Sequence, residues 1–272
     1  MKASDFLASN LGKSLFQWEA SAVALPLDAW VPWTLVPVPV TSKDGRHTGV
    51  FHVSQDYLAL GESGDLLRLP LTPINAQRIA NSLGMLLPTS KMVDAIWVQS
   101  QVKLLPQPLV PNKGANLAQY AEHSRAIDGQ LETQASLLSG AFPVSGQKKD
   151  IILSNIWKPG KVVIYGWYRP DGSHIQPKSN VHGDFYVDYS HGVRLVSPQM
   201  LVDGSPMNVE DVLRSPELAS LLSDEGVLNR TRYPTGNGND VIAMSSPNGK
   251  LSYYRLGTNV LLNLNALERK AS

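Results

Sequence analysis

The sequence contains no cysteine. Without thiols the chain can form no disulfide, no thiolate zinc site and no cysteine nucleophile. Charged residues are also scarce, at 17% of 272 residues, and the formal net charge is +1 with no block of like charges. Nucleic-acid binding through a basic face is therefore not expected. No apolar run approaches the roughly 20 residues of a membrane helix, so no membrane span is expected either.

The first residues do not resemble a secretion signal, because Asp5 and Asn10 interrupt any apolar segment. This leaves the compartment open. A secreted or periplasmic location, with a signal that is not part of this chain, is one alternative, and a cysteine-free chain suits an oxidising compartment.

The chain is long enough, and at 43% hydrophobic residues apolar enough, for one large domain over residues 1–272. A division into a mixed half (1–145) and a strand-rich half (146–272) is the alternative. Predicted strands and helices come in separate groups rather than alternating. This favours an α+β fold with mainly antiparallel sheets and several peripheral helices.

Apolar spacing and capping residues predict the helices. The predicted ranges are 4–20, 73–84, 89–101, 116–138, 208–214 and 216–226. Thr72-Pro73 and Ser215-Pro216 each combine a capping hydroxyl with proline at the first helical position.

Alternation and turn residues predict the strands. The predicted ranges are 33–40, 49–54, 57–61, 66–71, 150–154, 161–169 and 199–203, with a hairpin over 241–245 and 250–256. Two prolines in the first range remove ladder donors and predict an edge strand. We also expect Trp97 to pack against 162–167, because each has the strongest apolar periodicity of its half.

Residues 180–196 gather the most groups able to transfer protons or bind anions, among them two of the six histidines. If 182–190 form a strand, alternate side chains share one face. That face would hold His182, Asp184, Tyr186, Asp188 and Ser190. A polar face turned to water without any function is the competing interpretation.

These residue types favour acid–base or nucleophilic chemistry. We expect Ser190 to act as nucleophile or orienting hydroxyl, His182 or His191 as base, and Asp188 as the group that orients the base. A strand over these residues would span roughly 26 Å, so His182 reaches Ser190 only if the chain folds back. Gly183 and Gly192 would permit such a bend.

Substrate contacts are expected from residues inside and outside this stretch. Arg194 would hold a carboxylate or a developing negative charge. Tyr186, Trp167 and His123 complete the expected binding residues, and the expected partner is a polymer or peptide-like substrate. Lys148-Lys149-Asp150 is expected to be a solvated turn, with an anion site as the alternative.

His182-Gly183-Asp184 also presents two ligand types for a metal. The spacing is generic and the other histidines are scattered. We therefore predict neither a metal nor another cofactor.

One fragment has a family resemblance. His182-Gly183 followed by Ser190-His191-Gly192-Val193-Arg194 resembles the His-Gly and Ser/Thr-His-Gly-Cys-aliphatic-Arg signature of L,D-transpeptidases, the bacterial enzymes that cross-link peptidoglycan. It covers about 14 of 272 residues. The cysteine expected between Gly192 and Val193 is absent, and the gap between the two parts is too short. The resemblance implies a bacterial cell-envelope protein without the transpeptidase reaction.

The sequence thus predicts a hydrolase-like enzyme that acts on an amide, ester or glycan polymer, with its site in 182–194. The alternative is a non-catalytic carbohydrate- or peptide-binding or structural module, in which Tyr165, Trp167, Tyr186 and Arg194 form a contact surface.

Overall fold

A computed structural model describes residues 1–31, 33–134 and 142–235, and the backbone of three further strands between 241 and 263. The fold is α+β in one domain, as predicted. Its helices are α1 (Ala3–Asn10), α2 (Leu15–Val23), α3 (Pro73–Ser82), α4 (Ser90–Gln99), α5 (Leu117–Glu132) and α6 (Val209–Arg214). Within the described ranges, none of the helices is long and apolar enough to cross a bilayer.

Helix boundaries follow local signals where these are strong. Helix α3 begins at Pro73 directly after Thr72, as predicted. The Thr72 hydroxyl does not cap the helix, because it donates to Oε2 of Glu19, while Oε1 of Glu19 accepts the Thr72 N–H. The predicted single helix over 4–20 is wrong: Gly12, with φ +82°, separates α1 from α2.

The predicted helix over 216–226 is also wrong. That segment contains only a 3-10 turn, Ala219–Leu221. Acidic side chains from the rest of the segment bind groups elsewhere in the chain. Asp224 accepts from Ser90, and Glu225 accepts from Ser154 and the Asn155 N–H. These contacts hold the segment along the surface instead of in further helical turns.

The strands form several mostly antiparallel sheets. They are β1 (Leu35–Thr41), β2 (Thr48–Ser54), β3 (Ala59–Glu62), β4 (Asp65–Arg68), β5 (Val102–Lys103), β6 (Val144–Ser145), β7 (Lys149–Ile151), β8 (Ile164–Tyr168), β9 (His174–Ser179), β10 (His191–Gly192), β11 (Val196–Val202), β12 (Ser205–Asn208), β13 (Val241–Ser245), β14 (Leu251–Leu256) and β15 (Leu261–Asn263). The proline-containing β1 lies at the edge of the sheet β1-β2-β11-β12, as predicted, and β13 and β14 pair as the predicted hairpin.

The sheet β10-β7-β8-β9 positions the candidate site. Its short β10 pairs in parallel with β7, so that His191 lies opposite Lys149 and Gly192 opposite Asp150. A Cβ atom at Gly192 would approach the Tyr57 ring to 2.5 Å, so only glycine fits at this crossing. The pairing brings residues 188–192 against a strand that is about 40 positions earlier in the chain.

One large apolar cluster includes buried residues from Ala3 to Tyr233, and a smaller one surrounds Trp97. The Trp97 ring stacks on Tyr168 with centroids 4.9 Å apart, and Val163 lies in the same cluster. The predicted contact between Trp97 and this strand region is therefore confirmed, although it is made through Val163 and Tyr168.

Candidate functional site

Residues 182–190 are not a strand, so the predicted alternation of faces is wrong. Gly183 makes an isolated bridge to Lys161, and the chain then turns between Gly183 and Tyr186. A second turn follows at 188–191, where the His191 N–H donates to the Asp188 carbonyl at 3.1 Å. The Asp188 side chain stabilises this turn, because Oδ1 accepts the Ser190 N–H at 2.9 Å. The fold-back brings together residues that a strand would have spread apart.

Asp188 is the centre of the resulting cluster. Its Oδ1 accepts the Ser190 hydroxyl at 2.6 Å. Its Oδ2 accepts from the Tyr186 hydroxyl at 2.7 Å, from Lys149 Nζ at 3.0 Å and from Asn112 Nδ2 at 3.1 Å. The carboxylate is only 1% exposed. So many donors on a buried oxygen pair indicate an anion, because a protonated carboxyl would lose acceptor capacity.

Asp188 and Lys149 each stabilise the ionised form of the other. Burial alone would raise the pKa of the Asp188 carboxyl, but the groups around it, the Lys149 charge and the Ser190 hydroxyl among them, outweigh burial and hold that pKa well below its usual range. Burial lowers the pKa of Lys149, and the Asp188 charge opposes this shift. The two therefore form a buried ion pair on the floor of the site.

His191 lies beneath this pair and is fully buried. Its Nδ1 accepts the Asp188 N–H at 3.1 Å, and Oδ1 of Asp188 lies 3.3 Å from the same nitrogen. Burial lowers the pKa of His191 to about 4, with the Lys149 charge acting in the same direction. The ring is thus neutral at pH 7. An Nδ1 that accepts from the backbone places the proton on Nε2, which has no hydrogen-bond partner among the described residues.

His182 and Tyr186 form the opening of the site. Their rings stack in parallel, with centroids 3.8 Å apart and an interplanar angle of 9°. Both side chains are half-buried, in contrast to Asp188 and His191. Burial, followed by the Lys149 charge, lowers the pKa of His182. Burial and the neighbouring Asp188 carboxylate raise the pKa of Tyr186, so its hydroxyl stays protonated as a donor.

Two members of the cluster were not among the predicted site residues. Asn112 lies in the loop before α5 and reaches Asp188 from an exposed position. No local motif marks it. Lys149 belongs to the predicted solvated turn, and that prediction is wrong: Lys148, Lys149 and Asp150 are all buried, at 1%, 5% and 3% exposure. The sequence did contain one signal of a buried charge cluster, since three consecutive charged residues stand in front of an apolar strand.

Ser190 does not face a base. Its hydroxyl donates to Asp188, and the side chain is 2% exposed. A serine nucleophile needs its hydroxyl directed to a base and open to substrate. The structure instead places the Ser190 hydroxyl on the Asp188 carboxylate.

Three predicted substrate-binding residues lie away from the opening. Arg194 is fully buried over the Tyr57 ring, and its guanidinium donates to the carbonyls of Ser54, Gln55 and Val144. Trp167 is buried in the main core. His123 is 0% exposed, and its ring lies 5.0 Å from that of Tyr189. The structure therefore brings together His182, Tyr186, Asp188, Ser190 and His191, but not these three.

A second set of titratable groups lies on the other face of β7. Lys148 Nζ donates to the Tyr189 carbonyl at 2.7 Å and lies 3.4 Å from Nδ1 of His123. Burial lowers the pKa of Lys148 to about 7, and the Arg68 charge adds to the shift. Asp150 accepts the Tyr57 hydroxyl at 2.9 Å, and burial raises its pKa to about 7. This set lies entirely inside the protein.

Metal ligation was the other chemistry suggested for His182 and Asp184. Asp184 is buried, with its N–H donated to the Gly160 carbonyl, whereas His182 stacks on Tyr186. Over the part of the chain that the structure describes, no three His, Asp or Glu residues are grouped so as to hold a metal ion.

Comparison with known proteins found no match for the chain. No protein-family model matches the chain, and neither a curated protein nor a solved structure does. The resemblance to L,D-transpeptidases therefore rests on the two short fragments alone, and the functional argument rests on the contacts described above.

Proposed function

We propose that the chain is a hydrolase for an amide, ester or glycan polymer, in which His182 is the general base that activates a water molecule. The observation that carries this proposal is the state of the His182 ring. It is half-buried at the opening and stacked on Tyr186, and it forms no hydrogen bond within the described ranges. Its nitrogens are therefore free to take a proton from water.

The protonation state of His182 fits this role. Its pKa is shifted below the ordinary value of 6.5, so the ring is neutral at pH 7. A neutral imidazole can accept a proton from a water molecule, as a general base does. His191, the other predicted base, is fully enclosed and already uses Nδ1. It supports the site without contacting substrate.

Tyr186 and Asp188 hold the base in position. Stacking fixes the plane of the His182 ring, and the hydrogen bond from the Tyr186 hydroxyl to Asp188 fixes the tyrosine. Lys149 keeps Asp188 anionic and therefore an acceptor. The chain His182–Tyr186–Asp188–Lys149 thus runs from the opening to a rigid floor, as a preorganised site requires.

Asn112 supplies an amide donor at the same opening. One N–H of its Nδ2 group contacts Asp188, and the side chain is exposed. The second N–H can stabilise the negative charge that develops on a carbonyl oxygen during attack by water. In this scheme water is the nucleophile, and Ser190 orients Asp188.

The test is hydrolysis of four probes: p-nitrophenyl acetate, alanine p-nitroanilide, p-nitrophenyl β-glucoside and insoluble peptidoglycan. The peptidoglycan probe follows from the transpeptidase-like fragments. His182→Ala should lower kcat/KM by about 10²- to 10⁴-fold on the probe that is cleaved. His52→Ala, which alters a half-buried histidine on β2, is the matched control and should leave the rate unchanged. If wild-type protein cleaves none of the four, or if both variants behave alike, the proposal is wrong.

The alternative, a non-catalytic binding module, requires an exposed surface of Tyr165, Trp167, Tyr186 and Arg194. Trp167 and Arg194 are 7% and 1% exposed. One face of the Tyr186 ring is covered by His182. These positions favour the hydrolase over that module.

A further inference from the structure

A small cleft lies outside the candidate site. It has a volume of about 170 Å³ and opens to solvent. Two segments line it, the chain that follows β7 and the chain around residue 232. The lining residues are Leu153, Ser154, Trp157, Arg230, Arg232 and Tyr233. None of them belongs to the group around Asp188, and the proposed hydrolase mechanism uses none of them.

The inner wall of the cleft is apolar and rigid. Leu153 and Tyr233 are only 3% and 5% exposed. The Tyr233 hydroxyl donates to the Ile152 carbonyl at 2.8 Å and accepts the Val163 N–H at 3.0 Å. The Trp157 ring meets the Tyr233 ring edge to face, with centroids 6.3 Å apart. Because these contacts fix the wall before a ligand arrives, binding there costs little conformational entropy.

Arg230 brings a positive charge to the rim of the cleft. Its side chain is exposed, and its guanidinium lies over the Trp157 ring, 4.7 Å from the ring centroid. Within the part of the chain that the structure describes, no carboxylate pairs with it. Stacking uses the face of the guanidinium, so its N–H groups at the edge remain available to a planar acceptor. A carboxylate is such an acceptor and can bind through both oxygens.

The other charges beside the cleft are already paired. Nη2 of Arg232 lies 3.1 Å from Oε2 of Glu210. The Ser154 hydroxyl donates to Glu225, and Nζ of Lys178 lies 2.8 Å from the same carboxylate. Each of these two carboxylates therefore has its own cation, and the charge of Arg230 is left for a ligand.

We infer that the cleft binds a small monocarboxylate with an apolar body. Arg230 holds the carboxylate at the rim, and Trp157, Leu153 and Tyr233 contact the apolar body inside. Sites for drug-sized ligands measure about 300–1,000 Å³, so this smaller cleft takes a compact group such as one phenyl ring. One uncompensated guanidinium matches one negative charge. A free acid and the C-terminal residue of a peptide both present this chemistry.

The first test is an NMR titration of protein labelled with ¹⁵N in its tryptophan side chains. Benzoate should shift the indole N–H signal of Trp157, which is assigned by its loss in Trp157→Phe. Benzamide, the uncharged analogue, should bind about fivefold more weakly, as expected when an ion pair at a rim is lost. R230Q should weaken benzoate binding by about the same factor and remove the difference between the two ligands. R125Q alters an exposed arginine on α5, outside the cleft, and should bind both ligands as wild type does.

A second titration distinguishes the two sources of the carboxylate. It uses the peptide acetyl-Ala-Ala-Phe with a free or an amidated C-terminus. If benzoate and the free-acid peptide both bind, the cleft accepts peptide termini. If benzoate binds and neither peptide does, the ligand is a free acid. Both results support the inference, and neither depends on turnover of any substrate.

Four results would overturn the inference. Benzoate could leave the Trp157 signal unchanged up to about 20 mM, a concentration that detects even weak binding. Benzamide could bind as tightly as benzoate, or R230Q and R125Q could bind benzoate alike, and either result would show that the charge of Arg230 is not used. Inorganic phosphate could bind as tightly as benzoate, which would show that the apolar wall contributes nothing.

Discussion

Nζ of Lys149 lies 3.0 Å from Oδ2 of Asp188, and the two side chains are only 6% and 2% exposed. Lys149 is on β7 and Asp188 is on the turn before β10, so this ion pair joins two segments that meet only in the folded chain. Removing one partner of a buried pair leaves an uncompensated charge, whereas removing both does not.

Lys149→Met should therefore lower the free energy of unfolding by about 3–5 kcal/mol. The double variant Lys149→Met/Asp188→Asn should be more stable than the sum of the two single changes indicates, because neither charge remains. Urea denaturation of all three variants measures this coupling. Lys158→Met, at an exposed position, is the control. Strictly additive effects would show that the two groups do not interact.

His191→Ala should lower the free energy of unfolding. It removes the acceptor of the Asp188 N–H and leaves that buried donor unsatisfied, which costs about 1–3 kcal/mol before any loss of packing. His52→Ala should cost less, since His52 is half-buried at the surface of β2. The urea concentrations at which the two variants are half unfolded, compared with that of wild type, measure these two losses of stability. Unchanged stability of His191→Ala would contradict the buried, supporting role assigned to this ring.

Lys148 should make stability depend on pH above neutrality. Its folded pKa is about 7 and its ordinary value is 10.5, so between these limits the unfolded chain binds a proton that the native protein does not. Stability should then rise with pH from about 7 to 10.5. In Lys148→Met this rise should be smaller, with the remainder coming from Lys149, whose pKa is lowered too. Urea unfolding at pH 7.5 and 9.5 measures it. An equal rise in both proteins would show that Lys148 is protonated in the fold.

His47 should have the opposite dependence. Its Nδ1 lies 2.7 Å from Asp203 and its Nε2 lies 3.5 Å from Glu217, and the hydrogen bond to Asp203 raises the pKa of His47. A raised pKa gives a stabilisation that is complete below the unfolded value of 6.5 and is lost as the pH rises through the folded pKa. The melting temperature of wild type should exceed that of His47→Gln by more at pH 5.5 than at pH 8.5. A pH-independent difference would argue against the ionised contact.

Local signals predicted the fold where the determinants are local. Proline at the start of α3 and the prolines in the edge strand β1 each act through the residue's own backbone preferences. The helix over 216–226 was predicted wrongly because its acidic side chains bind groups far away in sequence.

The candidate site could be predicted only as a set of residue types. Alternation on 182–190 would hold only if a neighbouring strand paired along its length, but Lys161 meets this segment at Gly183 alone. The Asp188 side chain then forms a turn with Ser190 that no periodicity reveals. The burial of Lys149 and the approach of Asn112 depend on partners at position 188, 39 and 76 residues away.

The most direct test of the central claim is the pH dependence of kcat/KM for the cleaved ester or amide probe. This profile reports the pKa of the essential base in the free enzyme. The rate should rise with pH, with a midpoint below 6.5 because the pKa of His182 is lowered from that value, and should then level off. Tyr186→Phe should change the midpoint but retain the rise, because the Tyr186 ring stacks on His182. His182→Ala should remove the rising limb and leave only a low, flat rate. If kcat/KM of His182→Ala rose with pH to the same height and with the same midpoint as in wild type, the account would be contradicted, because another group would then take the proton.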